Sequence, residues 1–137
     1  MFERYDPPGV APPIGNYAHA LEVPAGWRLL FISGQVPERP DGSVPDGFEA
    51  QCHAAWTNVL AALAAAGLGP EHLVKVTTFL TRRDQAEMNS EIRRAHLGDT
   101  RPALTVIVAE TLSTPWLLEI EAIAAGPGRS HLPDPRS

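Results

Sequence analysis

The stretch "WLLEIEAIAA", residues 116 to 125, decides the fold, because its alternation predicts a strand with two unlike faces. The apolar face is formed by Leu118, Ile120, Ala122 and Ala124. The opposite face carries two carboxylates side by side and is formed by Glu119, Glu121 and Ile123. Like charges two residues apart on one strand face repel each other unless solvent or partners intervene. We therefore expect one packed sheet face, and one face turned toward water, a ligand cleft or another subunit.

Four further stretches predict strands. "YAHALEV" (17 to 23) alternates weakly and "RLLFISG" (28 to 34) is a compact apolar run, and the "PAG" between them predicts a turn that joins the two into a hairpin. "LVKVTTFL" (73 to 80) is rich in β-branched residues, which favour strands. "ALTVIVAE" (103 to 110) follows a proline and stays uncharged up to its last residue. That strand is either plain core or the wall of a binding site.

The segment from Asp46 to Gly67 predicts the first helix. Asp46 is a candidate N-cap with Glu49 three residues further on, and Gly67 supplies a C-terminal stop. Apolar residues recur between them at helical spacing, namely Phe48, Cys52, Ala55, Trp56, Val59 and Leu63. We expect these side chains, Trp56 included, to face the core.

A second helix is predicted from about Asp84, with Glu87 as its capping partner, to Leu97, where Gly98 ends it. The order of elements along the chain is then ββαβαββ. Strands from both ends of the chain with helices between them are typical of an α+β sandwich. The predicted fold is one mixed β-sheet covered on one face by the two α-helices.

The composition is that of an ordinary globular protein, with 44% hydrophobic and 20% charged residues. We expect a single domain over residues 1–137, with its core at about 12–125. The segment 126–137 is predicted to be a flexible tail, because it has too little apolar content to offset the entropy of ordering. Cys52 is the only cysteine, which favours a reducing, cytoplasmic location. Neither a secretory signal nor a membrane span is expected.

The net charge of −5 argues against nucleic acid as the main partner, because phosphate contacts need a basic face. One segment does concentrate arginines, and these are Arg82, Arg83, Arg93 and Arg94. Acidic residues alternate with these arginines, so the pattern predicts solvated helix charge. No nucleic-acid partner is expected.

Neither a metal nor a cofactor is predicted. The five histidines are scattered and show no HxH or HExxH spacing, and no glycine-rich loop has the strand-loop-helix context that cradles phosphate. Cys52 and His53 are neighbours on a predicted helix, so their side chains point about 100° apart and do not form a catalytic pair. Cys52 lies on the apolar stripe, and we expect a buried structural thiol.

Several motifs together resemble the RidA/YjgF family of imine and enamine deaminases. They are "IGNYAHA" (14 to 20), "LLFISGQVP" (29 to 37), "LVKVTTFL" (73 to 80), "AEMN" (86 to 89), "RPA" (101 to 103) and "LEIEAIA" (118 to 124). The resemblance implies a chorismate-mutase-like fold and a homotrimer with small-molecule clefts between subunits. It also implies hydrolysis of reactive enamines or imines, such as 2-aminoacrylate, to the keto acid and ammonia.

The resemblance also implies site residues. Those that match the family pattern are Tyr17, Ser33 with the adjoining Gly34 and Gln35, Asn89 and Glu119. Where the family has an arginine after the PA dipeptide, followed by a small polar residue, this chain has Leu104 and then Thr105. An arginine there resembles a bidentate clamp for a carboxylate, and leucine offers neither charge nor donors. Arg101 and Arg28 remain candidates to replace it.

The predicted function is hydrolysis of a small imine or enamine other than 2-aminoacrylate. Glu119 would position and deprotonate water, while Tyr17, the Ser33–Gln35 segment, Asn89, Leu104 and Thr105 would contact the ligand. A structural role for Glu119 stays open, since paired strand glutamates also bond backbone donors or lie solvated. The alternative is a trimeric small-molecule-binding or stress-protective protein without catalysis.

Overall fold

The computed structural model describes residues 1–128 of the 137-residue chain. From residue 129 onward the predicted tail lies outside the described residues, while Gly126 ends the last strand and is buried. The strands are β1 (Glu3–Tyr5), β2 (Ala20–Glu22), β3 (Arg28–Gln35), β4 (Leu73–Leu80), β5 (Ala103–Val108) and β6 (Leu118–Gly126). The helices are α1 (Phe48–Ala65) and α2 (Ala86–Leu97), and short 3₁₀ turns at Pro70–His72 and Arg83–Gln85 precede β4 and α2.

The main sheet has four strands in the order β3-β6-β4-β5. β6 pairs antiparallel with both β3 and β4, while β4 and β5 run parallel. The sheet is therefore mixed, and α1 and α2 pack against it as an α+β sandwich. This confirms the predicted fold class.

The predicted hairpin between residues 17–23 and 28–34 is wrong. β2 pairs with β1 in a separate two-stranded sheet, and β3 pairs with β6 from the far end of the chain. β2 is three residues long and mostly exposed, so pairing with it would give β3 little burial. Pairing with β6 instead places Ile32 beside Ala122 under α1. β1 was not predicted, and the adjoining Phe2 is buried edge-on against Trp27, with ring centroids 5.4 Å apart.

The helix boundaries agree with the predicted ones, but the caps differ. The expected capping box of Asp46 and Glu49 is absent, because the N-cap residue is Gly47, which has no side chain to form it. Gly47 has a φ of 83°, a backbone conformation that glycine adopts without strain. Before α2, the Gln85 carboxamide oxygen accepts hydrogen bonds from the backbone N–H groups of Thr81 and Arg82, at 3.1 Å each. Asp84 pairs with Arg82 at 2.7 Å instead of capping α2. Gly98 ends α2 with a φ of 60°, as expected.

The two faces of the sheet differ as the alternation in β6 predicts. On the face under the helices, Leu118, Ile120 and Ala124 are fully buried against the α1 residues Trp56 and Val59. On the other face the side chains other than Ala125 are half-buried or exposed, and they include Glu119, Glu121, Ile123, Leu29 and Phe31. We call the first the covered face and the second the open face.

Neither α1 nor α2 combines the length and apolar character that crossing a lipid bilayer requires. This finding concerns the helices within residues 1–128.

Candidate functional site

A bulge in β3 brings two of the predicted site elements together. Ile32 lies opposite Ala122 and Gln35 lies opposite Ile120, so β3 has one more residue than β6 between these pairs. The extra residue bends the backbone at Ser33 and Gly34. A Cβ on Gly34 would lie 2.8 Å from Cδ of Glu119, so only a glycine leaves room for this carboxylate. The bulge thus forms a glycine-lined seat for the Glu119 side chain.

Glu119 is half-buried on the open face, where it pairs with Phe79 of β4. Two residues along β6, Glu121 pairs with Thr77 and is exposed. Lys75 belongs to the same face, and its Nζ donates a 2.6 Å hydrogen bond to Oγ1 of Thr105. The open face therefore holds two carboxylates and one ammonium group beside aromatic surface. The strand alternation placed Lys75 on a face with Thr77 and Phe79, but the sequence did not show that this face was the open one.

A cavity of about 320 Å³ adjoins the bulge. It is lined by Gly34 and Gln35 and by the loop after β3, including Glu38 and Arg39. Asn58 of α1 fixes this loop, because its amide nitrogen donates to the backbone oxygens of Val36 at 3.1 Å and Glu38 at 3.0 Å. Glu119 does not line this cavity, which has the size of a small organic molecule.

Tyr17 lies beside the start of β5, because the next residue, Ala18, forms a bridge with Ala103. The backbone N–H of Tyr17 donates to the oxygen of Gly15 at 3.0 Å, which makes a tight turn, and Ala18 then bonds to the oxygen of Pro102 at 3.1 Å. The Tyr17 ring is half-buried and meets the His19 ring edge-on, with centroids 5.9 Å apart. The segment that holds Tyr17 is thus anchored to β5 and not to Glu119.

Leu104 points to the covered face. It pairs with the fully buried Val76 in the parallel ladder and packs against the main core cluster. Its neighbour Thr105 points to the open face with Glu119. Within one chain the sheet therefore separates Leu104 from Glu119, and a cleft lined by both would need a second copy of the chain.

The two arginines that could replace the missing one are engaged elsewhere. Nη1 of Arg101 lies 3.3 Å from the Asp6 carboxylate. Arg28 pairs with Gly126 at the far end of β3 from the bulge, and its guanidinium donates to the backbone oxygens of Pro127 and Ala66 at 3.2 and 2.9 Å. Neither guanidinium contacts the Glu119 seat.

Asn89 lies between the helices, away from the open face. It is 2% exposed, and its carboxamide oxygen accepts a 3.9 Å contact from the Cys52 thiol. Burial raises the pKa of Cys52 to about 12, although the nearby Arg93 acts in the opposite direction. Cys52 is thus a buried thiol, as predicted, and not a nucleophile at neutral pH.

The helix pair also joins two histidines that sequence reasoning treated as scattered. Nδ1 of His53 on α1 lies 2.8 Å from Nε2 of His96 on α2, and the Trp56 ring stacks on His96. Burial, and secondarily His53, lowers the pKa of His96. The residues are 43 positions apart, so no local spacing could have revealed the contact. Within residues 1–128 no group of three or more histidine, cysteine or acidic residues could hold a metal ion.

A family model described as Endoribonuclease L-PSP matches residues 9–126. That match spans the strands β2 to β6, both helices and the bulge. The chain is a member of the RidA/YjgF family. Among curated RidA/YjgF relatives, a RutC family protein of Pyrococcus horikoshii is 37% identical over 82% of this chain and 88% of its own length. The Escherichia coli protein named "Putative reactive intermediate deaminase TdcF" is 30% identical over 81% of this chain and 87% of its own.

Solved structures of RidA/YjgF relatives agree with this assignment. The Rid family protein YyfB of Yersinia pestis superposes with a TM-score of 0.78 at 26% identity, covering 90% of this chain and 97% of its own. The structure of E. coli TdcF with bound serine gives a TM-score of 0.67 at 30% identity, covering 86% and 91% of the two chains. The family membership thus rests on sequence and on fold.

Proposed function

We propose that this RidA-family chain hydrolyses a small imine or enamine, with Glu119 as the group that activates water. The observation that carries the proposal is the bulge at Ser33–Gly34, which seats the Glu119 carboxylate on the open face. A cavity lined by Gly34 and Gln35 adjoins the same bulge. A bulge that costs a ladder hydrogen bond and ends in a glycine next to a carboxylate is typical of a functional site. The name of the relative TdcF, "Putative reactive intermediate deaminase", supports the same chemistry.

The reaction needs one proton acceptor. The Glu119 carboxylate takes a proton from water as the water oxygen bonds to the imine carbon, the electron pair of the C=N bond moves to nitrogen, and Glu119 gives that proton to the nitrogen. In the carbinolamine the carboxylate then takes the hydroxyl proton as the carbonyl forms, the C–N bond breaks, and the nitrogen receives this proton and leaves as ammonia. An enamine substrate first takes a proton on carbon to become the imine. No cofactor is required for these steps.

Leucine instead of arginine at position 104 is the basis for the proposed preference for uncharged imines over substrates with a carboxylate. Leucine offers no donor for a substrate carboxylate, and loss of a charge-assisted pair in a desolvated cleft costs about 2 to 5 kcal/mol, roughly 30-fold to several thousand-fold in binding. We therefore expect 2-aminoacrylate to be a poor substrate and an uncharged imine to be a better one.

A homotrimer with clefts between subunits is part of the proposal. Leu29 and Phe31 on the open face are 54% and 71% exposed, which is unusual for large apolar side chains in a strand. Covering by a neighbouring subunit would bury these two side chains. Light scattering should give three chain masses for the wild type. A cytoplasmic location is also proposed, supported by the unpaired thiol of Cys52.

The central experiment measures ammonia release from imines generated in situ, some carrying a carboxylate and some neutral. Glu119→Gln should lower kcat by about 100-fold to 10,000-fold, the range typical of a lost general base. Glu121→Gln is the matched control, because it lies on the same strand face two residues away and should keep most of the activity. Equal activity of wild type and Glu119→Gln would refute the role of Glu119. No turnover of any imine by the wild type would favour a non-catalytic binding protein.

Leu104→Arg tests the specificity. This variant should raise kcat/KM for 2-aminoacrylate relative to a neutral imine, while Leu104→Met should leave the ratio unchanged. Efficient turnover of 2-aminoacrylate by the wild type would overturn the argument from Leu104.

The description of the family model names ribonuclease activity, but two observations argue against it for this chain. The net charge of −5 opposes phosphate contacts, and Arg82 of the arginine-rich segment is already paired with Asp84.

A further inference from the structure

Asp6, the residue after β1, joins two segments that lie far apart along the chain. Its Oδ1 accepts a 2.9 Å hydrogen bond from the backbone N–H of His19, which is 13 residues away. Its Oδ2 accepts a 3.3 Å hydrogen bond from Nη1 of Arg101, which is 95 residues away. One carboxylate therefore connects the segment that follows Tyr17 with the segment that leads into β5.

A second contact from β1 holds the same part of the chain. Nε of Arg4 donates a 2.9 Å hydrogen bond to the backbone oxygen of Arg101. β1 is itself fixed by its pairing with β2 and by Phe2, which is buried against Trp27. Asp6 thus extends from a backbone that is anchored in the fold.

Both connected segments carry predicted ligand contacts. Tyr17 lies two residues before His19, and the two rings meet edge-on with centroids 5.9 Å apart. Thr105 lies four residues after Arg101, within β5. The placement of Tyr17 relative to β5 therefore depends on how these two segments are held together.

The two segments also touch each other directly, through an isolated bridge between Ala18 and Ala103. A single bridge fixes one point of contact and leaves the segments free to rotate about it. The Asp6 carboxylate adds a second point, one residue beyond Ala18 and two residues before Ala103. Two points fix the direction of the Tyr17 segment as well as its position.

The two hydrogen bonds of Asp6 differ in weight. The backbone N–H of His19 is the main cause of the lowered pKa of Asp6, loss of solvent acts against it, and Arg101 lowers the pKa further. The carboxylate is therefore ionised at neutral pH, and a hydrogen bond to an ionised acceptor is stronger than one to a neutral group. The side chains of Arg101 and Asp6 are 38% and 30% exposed, so solvent screens their attraction. The bond to His19 thus contributes most.

We propose that Asp6 is a positioning residue that holds Tyr17 against β5 for contact with the substrate. The inference rests on the proposed hydrolysis and on the predicted role of Tyr17 as a ligand contact. Asp6 takes no part in bond making, which is assigned to Glu119. Loss of Asp6 should therefore weaken substrate binding without slowing the chemical step, whereas loss of Glu119 should do the opposite.

Steady-state kinetics with a neutral imine separate these two effects. Asp6→Ala should raise KM by about 3-fold to 10-fold, the equivalent of one lost hydrogen bond, and change kcat by less than about 2-fold. Asp6→Asn should restore most of the wild-type KM, because its amide oxygen can still accept the His19 N–H. Glu22→Ala is the matched control, since Glu22 accepts the Tyr5 hydroxyl in the same two-stranded sheet. This variant should keep the wild-type KM.

A double-mutant cycle connects the effect to Tyr17. Tyr17→Ala alone should raise KM, and adding Asp6→Ala should raise it little further, because the side chain that Asp6 positions is already absent. Fully additive increases in KM would show that Asp6 acts by another route and would refute the proposal.

Hydrogen exchange tests the positioning without any substrate. In Asp6→Ala the backbone amide of His19 should exchange about 5-fold faster or more, and in Glu22→Ala it should exchange as in the wild type. Unchanged exchange at His19, or an unchanged KM in Asp6→Ala, would overturn the proposal while leaving the role of Glu119 intact. Absence of imine turnover by the wild type would instead overturn the proposed hydrolysis, and faster exchange at His19 would then assign Asp6 a structural role alone.

Discussion

Neighbouring residues of β6 lie on its covered and open faces, and the two faces differ in function: the first belongs to the core and the second to the candidate site. On the covered face Ile120 is fully buried against the helices and contributes to stability. On the open face Glu119 is half-buried and lies against Gly34 of the β3 bulge. The difference arises because strand side chains alternate, so a single strand can support the core with one set of residues and a site with the other.

The position of β6 in the sheet explains why the site is formed at the β3–β6 pair. β6 is one of the two inner strands of the sheet and pairs with β3 on one side and β4 on the other. A carboxylate on such a strand has a fixed backbone, and only its side chain can move. The bulge changes the course of β3 beside Glu119 but leaves the pairing of β6 with β4 in place. The residues that shape the site are therefore not the ones that hold β6 in the core.

The largest expected effect is on the covered face. Ile120→Ala should destabilise the protein by about 2 to 5 kcal/mol, since it removes buried methyl groups and leaves a cavity. Ile123→Ala on the open face is the matched control, and it should cost much less because Ile123 is half-buried. Urea unfolding of both variants measures the difference. Similar losses for the two substitutions would show that the open face is packed as tightly as the covered one.

A second prediction concerns the seat itself. Gly34→Ala should displace the Glu119 carboxylate, which occupies the space of the new Cβ. Because a flexible side chain can move aside, we expect stability to change by less than about 1 kcal/mol. Imine hydrolysis should fall by roughly 10-fold to 100-fold, since the base is misplaced. Gly128→Ala serves as the control, because its Cβ would meet its nearest atom, the backbone oxygen of Gly26, at 3.5 Å. Full activity of Gly34→Ala would show that the position of Glu119 is unimportant.

A third prediction concerns the helix layer above the covered face. The lowered pKa of His96 means that the folded state binds a proton there less readily than the unfolded state. Stability should therefore be complete above the ordinary histidine pKa of 6.5 and decrease as the pH falls below it. Protonation of both rings also breaks the hydrogen bond between His53 and His96, worth about 1 kcal/mol. Asp46 and Glu49 line a cleft with His53.

Urea midpoints at pH 8 and pH 5 provide the measurement. His96→Phe should flatten the pH dependence, because the phenyl ring can still stack on Trp56 but does not titrate. If the urea midpoint of His96→Phe still falls between pH 8 and pH 5 as much as that of the wild type, other groups cause the pH dependence.

The smallest expected effect is on the open face. Phe31 is 71% exposed, so Phe31→Ser should change the stability of the dissociated chain by no more than about 0.5 kcal/mol. If subunits cover this face, the same substitution should weaken association, which analytical ultracentrifugation over a range of concentrations would detect. A large stability loss independent of concentration would mean that Phe31 packs within the chain, and the contrast between the faces would fail.

Much of the fold could be predicted because it depends on local periodicity. The alternation in β6 and the helical spacing from Phe48 to Leu63 each report directly on which side chains are buried. Strand partners could not be predicted in the same way. The PAG turn favoured a local hairpin, but β3 gains more burial from β6, which is about ninety residues away.

The candidate site was predictable in part. The family motifs identified the Ser33–Gln35 segment and Glu119, and the fold brings them into contact through the bulge. The motifs gave no indication that Leu104 points to the covered face or that Asn89 is enclosed between the helices. Those facts depend on register and on helix packing, which spacing along the chain does not contain.

The sequence by itself determined the α+β class, the apolar and acidic faces of β6 and membership of the RidA/YjgF family, because alternation, helical period and motif order are properties of neighbouring residues. Only the tertiary structure decided that β3 pairs with β6, that His53 meets His96 and that Arg93 is buried. Each of these contacts joins distant segments, and it forms because the whole core is packed together. Burial, which decides the chemistry of Arg93 and of Cys52, is a property of that packing.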